Sequence, residues 1–105
     1  MVAGVREPSA VPVDASGAVI HELLAGKVSN QTGQVVSTTA GDGNHAAHVT
    51  GTMIGRDLAS RPSTRGIAYA GTSRNWDAPN DLTEMTGFAA AGFLISNHSY
   101  GDANT

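Results

Sequence analysis

Three groups of residues have the types and the setting to do chemistry. Asp14 follows a short apolar run at 11–13, His45 and His48 stand in the run NHAAHVTGT, and Ser99, Tyr100 and Gly101 follow the apolar stretch GFLISN at 92–97. A carboxylate fixes the tautomer of an imidazole and stabilises the imidazolium, and an imidazole with a pKa near neutrality takes a proton from a hydroxyl. That chemistry needs each group on a separate rigid element, which makes the three together less ordinary than any one of them. Singly they have plainer roles. A strand-ending Asp is commonly a turn or cap residue, and a Ser after a strand is ordinary loop chemistry. The His pair is spaced i, i+3 with no Glu between, unlike the i, i+4 pair of zinc-binding helices.

The elements that would position these groups can be read along the chain. Residues 9–14 read as a strand entering a tight turn, with Pro12 marking an edge or an irregular start. Residues 17–26 suggest a helical turn, followed by a brief strand at Lys27–Val28. The polar, glycine-dotted run 29–44 is a loop with a possible strand at Val35 and Val36. A helix is expected from His45 to about Arg56, capped by Asn44. Gly51 and Gly55 lie on one face of it and imply a closely packed neighbour, since each costs about 1 kcal/mol of helix propensity. Gly66–Ala70 and Thr72–Asp77 are strand candidates. A second helix starts at Asn80 or Asp81, with Glu84 completing a capping box and Leu82, Met85, Ala89 and Ala90 forming an apolar stripe. The stretch 92–97 is a strand. Strand, helix and strand at this spacing make a βαβ unit, a parallel sheet and an α/β class. Sites in such sheets form beyond the carboxyl ends of the strands, where all three candidate groups fall.

Composition narrows the function classes. The 105 residues are 40% hydrophobic and 14% charged, which suits one small globular domain. Six basic residues against nine acidic give a net charge of −3, and Lys27 is the single lysine. The footprint of a nucleic-acid or anionic-membrane binder is missing. Cysteine is absent, which removes disulfide scaffolds, thiolate metal sites and cysteine nucleophiles. No apolar stretch approaches a bilayer span, and the first ten residues lack the apolar core of a signal peptide. Thirteen glycines and 5% aromatic residues are a lean supply for a complete domain of this length.

The segment Gly43 to Gly55 (GNHAAHVTGTMIG) resembles the histidine motif of the subtilisin-like serine peptidases, usually written H-G-T-H-V-A-G-T. The resemblance implies that His45 is the catalytic histidine, His48 takes the second, structural place, and Gly51 matches the helix glycine of the family. Val11 to Gly17 (VPVDASG) is similar to the aspartate motif, a strand followed by D-x-G, with one residue inserted before the glycine; this implies Asp14 as the catalytic acid. Arg65 to Tyr69 (RGIAY) resembles the G-[VM]-A-[PY] segment after the histidine helix. Ile95 to Gly101 (ISNHSYG) resembles the strand ending in S-[LWY]-G, which implies that Ser99, Tyr100 and Gly101 bind an extended polypeptide substrate. His21 falls where the family often has H-x-E/D. The resemblance spans about residues 9–105.

The nucleophile motif G-T-S-[MA]-[AS] and the oxyanion-hole Asn of the family do not occur. Residues 1–105 are therefore expected to be part of a subtilase catalytic domain, an incomplete parallel-sheet three-layer fold holding two of three triad members. The serine would lie outside the chain. No cofactor and no metal are expected, the partner is a polypeptide substrate, and secretion is implied by the family alone. Two alternatives stay open: a non-catalytic module with the same fold, and a metal-binding domain using His45, His48, His98 and a nearby Asp.

Overall fold

A computed structural model of the chain describes residues 2–38, 40–56, 65–77, 81–92 and 95–99. Among them the elements run β1 (Val2–Glu7), β2 (Val28–Asn30), α1 (Ala40–Ile54), β3 (Thr72–Asp77), α2 (Asp81–Ala90) and β4 (Ser96–His98). The four strands form one sheet in the order β2-β3-β1-β4, and every pairing is parallel. The chain is thus a small α/β domain.

The first strand lies elsewhere than the sequence suggests. β1 occupies residues 2–7, and Pro8, which has no N–H to donate, ends the ladder. The apolar run expected to be this strand is held differently. Ala10 N–H donates to the Val35 carbonyl at 3.0 Å. The Asn30 side chain accepts from Val11 N–H at 3.0 Å and donates to the Val11 carbonyl at 2.8 Å. An isolated bridge between Val13 and Val19 then closes a small turn around Asp14.

Side-chain alternation along β1 sets the layers, because successive residues of a strand point to opposite faces. Gly4 and Arg6 face α2: Arg6 pairs with Glu84 at 2.9 Å, and a Cβ on Gly4 would lie 2.2 Å from the Phe88 ring. Glu7 faces α1, where it meets His45. The register carries this across the sheet. Trp76, opposite Arg6, packs edge-on against Phe88, while Asn75, opposite Val5, bonds Thr50 of α1 at 2.9 Å. The two helices therefore cover opposite faces. On the α1 side Val11, Leu24, Val28, Ala46 and Ile54 form the apolar core.

Helix α1 starts at Ala40, five residues before the expected first position, so His45 lies in its second turn rather than at its N-terminus. The glycines of the AGDG run argue for a loop by propensity, but Gly43 packs against Pro12, where a Cβ would come within 3.0 Å of Cγ. Asp42 in the first turn suits the positive end of the helix dipole and accepts a hydrogen bond from Ser37 Oγ at 2.9 Å. At the other end the close approach falls on Gly55 and Gly66, not on Gly51. A Cβ on Gly66 would sit 2.7 Å from Ile54 N, whereas one on Gly51 would meet only Leu24 at 4.0 Å. Residues 67–70, expected as a strand, form a turn whose amides bond Thr52 and Met53 carbonyls at the end of α1.

Candidate functional site

The chain passes from β3 through α2 to β4, crossing β1, so its connections diverge around the carboxyl end of β1. Such switch points are where open α/β sheets place their sites. The last residue of β1 is Glu7, fully buried. Its Oε2 lies 3.1 Å from His45 Nδ1, on an imidazole whose side chain is half exposed. The ring is turned so that this ion-pair contact is not a well-directed hydrogen bond, and Oε2 has no other partner. Oε1 accepts from Asn97 Nδ2 at 3.4 Å. Asn97 Nδ2 also donates to Ser99 Oγ at 2.7 Å, and the Ser99 hydroxyl lies beside the Glu7 carboxylate, where it favours the charged form. Four side chains from β1, α1 and the end of β4 thus meet on the α1 face of the sheet.

Burial raises the Glu7 pKa above the usual carboxylate range, and it outweighs the opposing effects of the Ser99 hydroxyl, the neighbouring His45 and Asn97. The folded chain therefore holds this proton to higher pH than the unfolded chain does. Between the two pKa values the folded state binds more protons, so stability falls as pH rises through that window and levels off above the folded pKa. Glu7→Gln is expected to flatten this slope. Urea midpoints measured across the window check it; a variant that keeps the wild-type slope refutes the assignment to Glu7.

The carboxylate that meets His45 is that of Glu7. Asp14 is fully exposed and folded onto its own turn, accepting from Ser16 Oγ at 2.6 Å, Ser16 N–H at 2.9 Å and Ala18 N–H at 3.1 Å. These bonds lower its pKa, the Ser16 hydroxyl most. It is an Asx-turn residue, the plainer of its two roles. Ser99 does reach the site, but against Glu7. Tyr100 and Gly101 lie outside the described residues. Sequence reasoning missed Glu7 and Asn97. The signal for Glu7 was an apolar run ending in an acid before Pro8, V-A-G-V-R-E-P, which fits a strand as well as the run at 11–13 does.

The other histidines go elsewhere. His98 is exposed on the α2 face of β4, with Nε2 2.8 Å from Ser96 Oγ. His21 and His48 line a cavity of about 590 Å³ on the outer side of α1, together with Leu23, Ala47, Arg65 and Ile67. Among the described residues no three His, Asp or Glu side chains converge as a metal site, so His45, His48 and His98 do not form a ligand set. No helix among them is long and apolar enough to cross a membrane. Comparison with protein-family models, curated proteins and solved structures finds no match for this chain.

Proposed function

We propose that this chain supplies the acid–base pair and part of the substrate cleft of a subtilisin-like serine endopeptidase, with the nucleophile contributed by residues outside 1–105. The observation that carries the reading is the buried Glu7 carboxylate against His45 Nδ1 at the carboxyl end of the central strand. The histidine motif supports it, because the residue that the motif marks is the one that meets a carboxylate. Glu7 replaces Asp14 in the orienting role.

The mechanism follows from the two ring nitrogens. A carboxylate at Nδ1 selects the tautomer with the proton there and leaves Nε2 able to accept. His45 takes the proton of the attacking serine through Nε2 and returns it to the leaving amine. Glu7 stabilises the imidazolium between those steps without itself being protonated. Among the described residues β4 pairs with β1 alone, so its other edge is open to an extended peptide added as a further strand. The same reading makes the protein a secreted enzyme in a three-layer subtilisin-like fold.

Among the described residues no serine donates to His45, and the chain alone is expected to resist a serine-directed fluorophosphonate. Loss of the nucleophile costs on the order of 10⁶ in kcat, as much as loss of the whole triad. Mass spectrometry of the treated 105-residue chain checks this, and a labelled serine anywhere in it overturns the placement of the nucleophile. A non-catalytic module of the same fold is the second reading, favoured by the off-line approach of His45 to Glu7. The coding sequence beyond Thr105 separates the two: a G-T-S-M-type segment supports the peptidase, and its replacement the module.

A further inference from the structure

Glutamate at the end of β1 raises a positional problem. Its side chain has one more torsion than aspartate, and its terminal carboxylate rotor is broad and roughly two-fold. Left alone, such a group would not present one oxygen to an imidazole reliably. The structure shows what constrains it. Register places Asn97 opposite Val5, and alternation puts Asn97 and Ser99 on the same face as Glu7. Asn97 Nδ2 reaches Oε1 at 3.4 Å and Ser99 Oγ at 2.7 Å. An oxygen that accepts from an amide has its own hydrogen free to donate, and a serine hydroxyl rotates to suit its acceptor.

We propose that Asn97 and Ser99 form a donor clamp that fixes the Glu7 carboxylate so that Oε2 faces His45 Nδ1. Asn97 sets the hydroxyl of Ser99 by donating to it, and Ser99 passes its own hydrogen to Glu7. Ser99 is then a positioning residue acting through Glu7, and its side chain is committed to the acid; any contact it makes with substrate falls to its backbone. The clamp also offsets part of the burial cost of the ionised carboxylate, since donors aimed at a charged group favour the charged form. This inference deepens the peptidase reading and rests on it for its catalytic consequence, though not for the geometry.

The test is a titration of Glu7 by its side-chain carboxyl carbon signal, with His45 followed by its ring nitrogen signals, in the 105-residue chain. Ser99→Ala is expected to raise the Glu7 midpoint and broaden or shift the Nδ1 signal of His45. Ser99→Thr, which keeps the hydroxyl, restores both. Asn97→Ala is expected to move Glu7 in the same direction, and it provides the second variant should Ser99→Ala perturb the fold. A Glu7 midpoint unchanged in the folded variants overturns the clamp. In the active peptidase, Ser99→Ala moves the acidic limb of the kcat/KM profile to higher pH. A clamp that shows in the titration of a chain with no peptidase counterpart leaves the clamp standing and removes the functional reading. A working peptidase whose Glu7 titration ignores Ser99 and Asn97 does the reverse.

Discussion

If the protein is the proposed peptidase, replacing Glu7 by glutamine is expected to lower its kcat about 10⁴-fold, whereas Asp14→Asn leaves it unchanged. The size of the first effect comes from the tautomer. A carboxylate only accepts, so Nδ1 facing it must carry the proton and Nε2 must be bare. A carboxamide can turn its NH₂ to Nδ1 and stabilise the opposite tautomer, in which Nε2 is already protonated and cannot act as a base. Little of the loss should appear in KM, because neither Glu7 nor its replacement touches substrate; the interaction removed is one that strengthens as the imidazolium forms. The second half of the prediction is what makes the pair decisive. Asp14 is the residue that the motif spacing favours, but its Oδ1 accepts all three bonds from Ser16 and Ala18 within its own exposed turn. Steady-state kinetics of the two variants side by side therefore choose between motif spacing and geometry. Loss at Asp14 with survival at Glu7 would sink the Glu7–His45 pair.

The same contrast shows what the sequence could and could not reveal. α2 carries strong local signals, a capping box and periodic apolar positions, and it forms where it is expected; β3, a weaker strand candidate, forms over the same residues Thr72–Asp77. β1 and the start of α1 are decided by distant contacts. Residues 2–7 become the central strand because they pair with β3 and β4 from the other half of the chain, which no local window reports. Ala40 to Asn44 is helical although two glycines disfavour it, because the turn packs on Pro12 and is charged favourably by Asp42. The histidine was legible, since its motif is local. The carboxylate was not, because two apolar runs each end in an acid and only tertiary register decides which acid arrives at the imidazole. Asn97 and Ser99 were visible as neighbours of a strand end, but their shared face with Glu7 depends on the β1–β4 register.

Glu84→Ala is expected to destabilise the chain by about 3 kcal/mol, the low end of what breaking a buried ion pair costs. Arg6 is buried inside the sheet, on the face opposite Glu7, and at 2% exposure its charge has no recourse to solvent. Its Nη1 donates to the Asp77 carbonyl at 2.5 Å and to Glu84 Oε1 at 2.9 Å, its guanidinium lies 5.9 Å from the Trp76 ring centroid, and its Nε has no partner. Glu84 is 25% exposed, which sets the figure at the low end. The carboxylate also reaches further. Oε2 accepts from Gln34 Nε2 at 2.6 Å, Gln34 Oε1 accepts from Asp77 N–H at 2.9 Å, and Asp77 Oδ2 accepts from Val35 N–H at 2.9 Å. Removing Glu84 therefore leaves a buried guanidinium half-paired and unties α2 from the loop that borders the end of β3. The double variant Arg6→Met, Glu84→Leu separates these effects: with both charges gone the desolvation cost vanishes, and stability should return to near the wild-type value or exceed it. For a domain of this size about 3 kcal/mol corresponds to a Tm loss of more than about 10 °C. A Glu84→Ala loss below about 1 kcal/mol would mean that the pair behaves as a solvated surface pair. The α2 face would then be held by Trp76 and Phe88 packing alone, and Arg6 would need a route to water that its burial does not allow.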